Sequence, residues 1–465
     1  MYLATTDAVA TAKDKKKGKG AGEGGNAGKG DGRKGKGRGR VTGPVLALGA
    51  VSLVTDISSE MVAAILPLYF VLGLGLSPLA FGFLDGLYNG ATAFVRLLGG
   101  YAADRGGRHK LVAGSGYLLS ALSRLGLLLA GGATAGIGAA IAADRLGKGV
   151  RTAPRDALIS LSSPPDGLGR AFGVHRAMDT TGALLGPLAA FALLWVTADA
   201  YDAVFVVSFC FGLFGVLLLV AFVPGRGALP TAPATAPASR PRKALTLLRV
   251  PAFRRVCAAA ALLGAATVGD AFLYLLLQRR LDFAESWFPL LPLGTAAVYL
   301  LLAVPVGRLA DRVGRRGPFL AGHGALLAAY VLLLLPTGGR TLLVGVLLAL
   351  GVFYAATDGV LMALATPCLP EGRRASGMAV LQTGQALSRL LAAAGFGAAW
   401  TLWGIGAALT CAALALTVAL AGGAVLLRST EGTPQTTAPA LAPTPVPEEP
   451  HAPPEKPHAP PEGTP

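Results

Sequence analysis

Charge is scarce in this chain and cysteine scarcer still, and both shortages narrow what it can be. Of 465 residues only 14% are Asp, Glu, Lys or Arg, while 53% are hydrophobic. That leaves too little charge to solvate an ordinary soluble protein of this length. The four cysteines, Cys210, Cys257, Cys368 and Cys411, stand singly in apolar surroundings. Their spacing draws neither a zinc site nor a disulfide framework, so they read as small packing residues. A nucleophile–base set, a metal-ligand cluster and a phosphate-binding glycine loop are all missing. The expectation is therefore no enzyme, no metal, no cofactor and no drive from nucleotide hydrolysis. A cleavable leader is not expected either: the first apolar run begins near Val45, after a long basic stretch, and lacks a short core followed by small residues.

What is present comes in apolar runs of membrane length. They lie at Val45–Leu74, Leu79–Ala102, Leu111–Gly131, Ala133–Leu161, Ala171–Val196 and Ala203–Val223, and again at Ala252–Leu281, Trp287–Leu309, Pro318–Pro336, Thr341–Ala365, Ser376–Leu402 and Ile405–Leu427. A helix of about 20 residues crosses a bilayer, so this pattern predicts an all-α polytopic membrane protein with twelve transmembrane helices. The Pro/Ala/Thr-rich stretch Pro224–Arg249 splits them six and six. The expected organisation is a disordered basic tail (1–42), a six-helix bundle (43–224), a cytoplasmic linker (225–250), a second bundle (251–428) and a disordered Pro-rich tail (429–465).

The formal charge of +16 is concentrated in the first tail, which holds eleven Lys or Arg, and in short loops. No aromatic residue interleaves those lysines, so nucleic acid is not an expected partner; a topology signal that also touches anionic lipid is. Placing this tail in the cytoplasm puts Arg105, Arg108, Lys110, Arg170, Arg226, Arg312, Arg315, Arg316 and Arg373 on the same side. Both termini then face the cytoplasm and the protein sits in the plasma membrane. Arg279, Arg280 and Arg340 are the exceptions.

Charges inside the apolar runs are costly and mark function by default, at roughly 2.5–3.5 kcal/mol each near the bilayer centre. The fourth run carries Asp144, Arg145, Lys148, Arg151, Arg155 and Asp156; Asp144, Lys148, Arg151 and Arg155 share one helical face. Asp56 and Glu60 lie four apart on the first run, and two carboxyls in a low dielectric suit reversible protonation. Asp85, Asn89 and Arg96 lie in the second run, Arg124 in the third, Arg176 and Asp179 in the fifth. The second half carries fewer such groups: Asp270, Asp358, Gln382, Gln385 and Arg389. The bland alternative is static ion pairing, Asp56 or Glu60 with Lys148 or Arg151, and Arg176 with Asp179. Buried pairs stabilise weakly, so a concentration of this kind in one half argues for work in transport.

A loop motif recurs at the same place in each half. Gly100-Tyr-Ala-Ala-Asp104-Arg105-Gly-Gly107-Arg108-His109 follows the second run, and Gly307-Arg-Leu-Ala-Asp311-Arg312-Val-Gly314-Arg315-Arg316 follows the eighth. The glycines would let helices approach, the carboxylates would cap a neighbouring helix, and the arginines would tie helix ends together.

With these residues in view, residues 43–428 resemble the major facilitator superfamily. The loops match its motif between the second and third helices, with His109 in place of the usual second basic residue and Lys110 after it. Arg145-Leu-Gly-Lys148-Gly149 resembles its fourth-helix motif, Lys148 standing where Gln is usual. Gly173, Gly182, Gly186 and Pro187 resemble the fifth-helix antiporter signature, with Ala190 for its last glycine. Thr55–Met61 and Gly147–Asp156 look like a bacterial subgroup whose substrates are largely unassigned.

The resemblance implies two pseudo-symmetric six-helix bundles rocking about a midplane cavity, functional as a monomer. It implies a small-molecule substrate and protons as partners, and proton-coupled efflux of a metabolite or drug-like compound. On this reading Asp56 and Glu60 exchange protons, Arg145 relays to the cavity, and the two loops gate its cytoplasmic side. Proton-coupled uptake of an organic anion is the alternative, and a non-transporting sensor or assembly partner a third.

Overall fold

The computed structural model describes residues 42–88, 109–163, 168–224, 245–336, 338–369 and 374–428. The loop expected to gate in the first half (Gly100, Asp104, Arg105, Gly107, Arg108), Asn89, Arg96, both tails and most of the linker lie outside these residues. Among the described residues every regular element is helical. In chain order they are α1 (Gly43–Leu68), extended by a π-helical turn Tyr69–Gly73, α2 (78–88), α3 (His109–Ala130), α4 (Thr134–Leu161), α5 (Leu168–Thr197) and α6 (Tyr201–Phe222). Then follow α7 (Pro251–Ala265), α8 (Asp270–Leu281), α9 (Leu290–Val313), α10 (Arg316–Leu334), α11 (Gly339–Ala365) and α12 (Arg374–Arg428).

Nine segments of the described residues are long and apolar enough to cross a membrane. One of them, Gly377–Arg428, has 52 residues, twice what one crossing needs. It turns at Gly404, whose φ of 81° and ψ of 168° are not helical. The 28-residue α4 has the length of a span, but its charges break the apolar character.

The run expected as one seventh span is broken. α7 ends at Ala265 and α8 starts at Asp270. A break at membrane depth must satisfy its freed backbone groups within the protein. Tyr330 does so: its hydroxyl accepts from the Val268 N–H at 2.7 Å and faces the Ala266 carbonyl at 3.4 Å.

The helices pack in two groups. α1 lies against α5 and α6, and α3 against α4 and α6; α7 packs on α12, α9 on α11, and α10 on both α11 and α12. Without a hydrophobic drive between helices in lipid, close packing depends on small residues. A methyl on Gly182 would strike the Leu53 carbonyl, and one on Gly186 would stand 2.6 Å from Glu60 Cβ. Gly116 and Gly147 do the same for α3 and α4, where a Cβ on Gly116 would reach 2.7 Å from the Gly147 oxygen. Gly173 and Gly307 behave otherwise. Nothing lies within 4 Å of a Cβ built on either, so the close approach expected at both is absent in this state. Gly314, at φ 92°, ends α9 instead.

The two ends of the molecule differ in chemistry. Trp195, Trp287, Trp400 and Trp403 gather at one end, and Trp195 and Trp403 are exposed there in the manner of an interfacial belt. At the other end, basic side chains hold helix C-termini, whose last carbonyls lack intrahelical donors. Lys110 Nζ donates to the Val220 and Val223 carbonyls at 2.9 and 2.7 Å. Arg315 donates to Ala363 O at 2.7 Å and Arg316 to Ala424 O at 2.8 Å. Lys110 and Arg316 each join the start of a helix to the end of the last helix of their own group, so the repeat extends to its fastenings. Arg279 and Arg280, which break the charge bias, are also explained: Arg280 donates to Leu333 O and Leu335 O at 2.7 and 2.8 Å, and Arg279 stacks on Trp400 at 5.2 Å.

Candidate functional site

In the first helix group a polar layer separates two apolar clusters. On one side Met61, Ile65, Leu127, Ile137 and Ile141 belong to the large core; on the other Val45, Leu48, Val51, Tyr117 and Leu158 form a smaller one. Between them α1 and α4 run antiparallel, so positions four apart on α1 meet positions three or four apart on α4. The meeting makes a ladder. Glu60 Oε1 faces Lys148 Nζ at 3.8 Å, Asp56 Oδ1 faces Arg151 Nη2 at 3.4 Å, and Ser52 Oγ faces Arg155 Nη1 at 3.4 Å.

α5 closes the ladder from the side. Asp179 is shared by Arg155 at 3.6 Å and Arg176 at 3.2 Å, and its carboxyl reaches that of Asp56. Arg155 also binds Asp156 at 2.9 Å. The ring of Tyr117 lies under the Arg151 guanidinium, 4.4 Å from its centroid.

Next to Glu60 the ladder ends in a tighter knot. Arg124 from α3 donates to Asp144 Oδ1 at 2.6 Å, to Ser123 Oγ at 3.1 Å and to Ser59 Oγ at 3.0 Å. Arg145 binds the other carboxylate oxygen of Asp144, with Nε at 2.9 Å, and stacks on Tyr88 at 3.8 Å. A cavity of about 10 Å³ opens among Ser59, Tyr88, Arg124, Asp144 and Arg145, room for one water.

The knot and the ladder differ in kind. Charge-assisted bonds near 2.7–2.9 Å are strong, and Arg124 and Arg145 are 3% and 4% exposed. The ladder's pairs between helices are longer, at 3.4–3.8 Å, and its outermost acid, Asp156, has a side chain 43% exposed. The knot's contacts are the shorter ones and the ladder's contacts between helices the longer.

Two residues of this site escaped sequence reasoning in their roles. Asp144 was expected as part of a cationic face, yet it neutralises the two arginines that flank it. His175 on α5 was not expected at all. It is 4% exposed, neither ring nitrogen has a hydrogen-bond partner among the described residues, and its charged neighbours there are Arg155, Asp156, Arg176 and Asp179. A buried polar group left unsatisfied costs about 1–3 kcal/mol. The available signal was position: His175 lies four residues before Asp179, on the same face.

In the second group Asp270 opens α8 just past the helix break and accepts from Tyr354 Oη at 2.7 Å. Asp85 of α2 lies against this break, its Oδ2 being 2.8 Å from where a Gly269 Cβ would stand. Gln382 reaches the Met362 sulfur at 4.0 Å. Gln385 and Arg389 are half-buried on the same helix, α12, and Arg389 lies among Asp270, Asp358, Tyr354 and His323. Asp311 pairs with Arg315 at 3.7 Å on the surface, and Arg312 is exposed.

The two groups meet along a seam at the tryptophan end. Phe81 of α2 packs edge-on against Phe272 at 4.6 Å, and Phe272 meets Phe396 at 4.8 Å. The Leu79 N–H donates to Thr401 Oγ1 at 3.1 Å. On the flank Trp287 lies 5.4 Å from Phe191 and 6.2 Å from Trp195, and Tyr201 donates a short hydrogen bond to Glu285. Asp199, in the turn beyond α5, has its carboxyl pushed above the usual range by burial and by the Glu285 charge.

Helices of this length and apolarity, bracketed by a tryptophan end and an arginine end, make a multi-pass all-α membrane protein. Residues 48–393 and 281–454 match the Major Facilitator Superfamily, and the chain belongs to that superfamily. Over 144 residues it is 41% identical to an uncharacterised MFS-type transporter of Methanocaldococcus jannaschii, covering 30% of this chain and 35% of that protein. Over 158 residues it is 35% identical to an uncharacterised protein of Mycobacterium tuberculosis, covering 34% and 38%. The chain thus spans about a third of the length of the curated relatives it matches. Its fold is shared with the nucleoside transporter NupG, at a TM-score of 0.68 and 15% identity over 83% of this chain and 98% of that one. It is also shared with a bacterial homologue of the human lysosomal transporter Spinster in an inward-facing, occupied conformation, at 0.66 and 15% over 83% and 96%. At such identities the likeness is one of fold.

Proposed function

We propose that this chain is a secondary transporter that alternates access between the two membrane faces and couples export of a small metabolite or drug-like compound to entry of protons. The observation that carries this reading is the ladder: Asp56 and Glu60 pair with Arg151 and Lys148 at 3.4 and 3.8 Å, loosely enough to release, while Asp56 also reaches Asp179. A proton can bridge two facing carboxyls, and its departure hands each acid to its own cation. Asp56, Glu60 and Asp179 are the proposed proton carriers. Lys148, Arg151, Arg155 and Arg176 are their counter-ions, and Arg145 is held by Asp144 as a positioning group. Asp85, Asp270, Gln382, Gln385 and Arg389 would line the route from the other side.

Residues 43–224 and 251–428 would rock as two bundles joined by 225–250, with the arginine end cytoplasmic in the plasma membrane. The seam at the tryptophan end supports a state shut on the outside. Asp104, Arg105 and Arg108, with Asp311, Arg312 and Arg315, would lock the other end in the alternate state. Gly182 and Gly186 hold α5 against α1 so that movement of one reaches the other.

The test is proton flux in energised everted vesicles, read with a pH-sensitive dye while candidate compounds are added. Asp56→Asn and Glu60→Gln should abolish compound-induced flux with normal insertion; undiminished flux in both variants sinks the reading. Proton-coupled uptake of an organic anion is the second reading. It is favoured by two cations of the polar layer that keep partial exposure, Arg176 and Lys148. Dissipating the proton gradient separates the two, raising accumulation for an exporter and collapsing it for an importer.

A further inference from the structure

His175 is the buried titratable group that this scheme leaves unused. It sits on α5 one turn before Asp179 and is 4% exposed, with neither Nδ1 nor Nε2 hydrogen-bonded to any described residue. The charged groups facing it are Arg155 and Asp156 from α4 and Arg176 and Asp179 from its own helix; Asp56 of α1 reaches it only through Asp179. Each of the two acids beside it is already engaged. Asp156 is held by Arg155, and Asp179 by both Arg155 and Arg176. An imidazolium here would have no carboxylate of its own.

Arg155 decides whether that changes. Its guanidinium spans three helices: it faces Ser52 on α1 at 3.4 Å, Asp156 on its own helix at 2.9 Å and Asp179 on α5 at 3.6 Å. Three partners at these lengths cannot all be kept when α1, α4 and α5 move relative to one another. Whichever carboxylate Arg155 releases lies beside an imidazole whose two nitrogens have no hydrogen-bond partner among the described residues, and histidine is the side chain whose charge changes near neutral pH.

We propose that His175 is a proton-carrying, positioning member of the coupling network, which takes one proton and pairs with Asp179 or Asp156 when Arg155 lets go of that carboxylate. The proton arrives through the Asp56–Asp179 carboxyls. An imidazole nitrogen accepts it to form an imidazolium, and its return as Arg155 re-engages releases the same proton toward the half-exposed Asp156. One proton enters and one leaves. The inference rests on the proton-coupled reading above and adds to it the group that stands in for Arg155.

The experiment uses the full chain in nanodiscs with histidine labelled by nitrogen-15, the His175 signal being assigned by its loss in His175→Gln. We expect the ring to pass from neutral to imidazolium on acidification, with a midpoint that moves by about one pH unit in Asp179→Asn. A ring that stays neutral throughout, or a midpoint indifferent to Asp179→Asn and Asp156→Asn alike, overturns the proposal. In everted vesicles, His175→Gln should displace the pH profile of proton flux while its melting temperature stays near that of the parent. A superimposable profile also overturns it. If the Gln variant does not fold, His175→Asn takes its place both in assigning the ring signal and in the flux arm. Failure of the coupling reading is distinct: Asp56→Asn then leaves flux unchanged, whatever the His175 ring does.

Discussion

Asp144 shows how one residue's meaning depends on its neighbours. In the chain it is the odd acid in a basic stretch; in the fold it holds Arg124 and Arg145 together and leaves Glu60 and Asp56 to the remaining cations. Removing one partner from a buried ion pair is far costlier than never having built it, because the other charge stays behind without a counter-ion. Asp144→Asn leaves two buried guanidiniums facing each other. Thermal unfolding in detergent should show a loss of about 3–5 kcal/mol, and a double Asp144→Asn/Arg124→Met variant should recover part of it. A single variant as stable as the parent would mean the knot is not a unit. Asp156, exposed at the ladder's edge, should tolerate the same Asp→Asn change with little loss.

At the scale of the helix, the fifth-span glycines separate into two kinds. Gly182 and Gly186 sit where α5 touches the α1 backbone at Leu53, Glu60 and Met61, whereas Gly173 faces open space. Gly182→Ala should therefore lower thermal stability, since a backbone carbonyl cannot rotate out of the way as a side chain can, and Gly173→Ala should be neutral or slightly stabilising through helix propensity. Equal losses for the two would contradict this. All of these glycines look alike in the chain, because spacing reports the face of a helix and not what stands opposite it. The break between α7 and α8 is another case. The stretch Ala266–Gly269 is unremarkable as sequence, and it opens because Tyr330, more than 60 residues away, supplies the hydroxyl that satisfies it.

At the scale of the molecule, the seam at the tryptophan end carries a titratable group. Asp199 and Glu285 come from different helix groups and face each other, with Tyr201 donating to Glu285. Since burial and the Glu285 charge raise the Asp199 carboxyl above its ordinary range, the closed seam binds a proton more readily than an open one would. Closure should then strengthen as pH falls through that raised value and fade above it, the reverse of an acid whose value is depressed on folding. Fluorescence of the Trp195–Trp287 pair, in a Trp400→Phe/Trp403→Phe background, should report the change on acidification, and Asp199→Asn should flatten it. A pH-independent signal in the parent would rule out a pH-dependent seam.

The twelve apolar runs, the half-to-half loop motif and the charged face of α4 are legible in the chain because each is local: hydropathy over about 20 residues, a repeated string, a helical period. Those local patterns determined the class of protein and where its unusual chemistry lies. Which acid meets which cation was beyond them. Asp56 had both Lys148 and Arg151 within reach on paper, and the antiparallel crossing of α1 and α4 gave it Arg151. His175 looks like any polar residue in the chain, and tertiary packing buries it among four charges with no hydrogen-bond partner among the described residues. Pairing and burial are properties of surfaces brought together by the whole fold, and the physics that assigns them acts between helices far apart in the sequence.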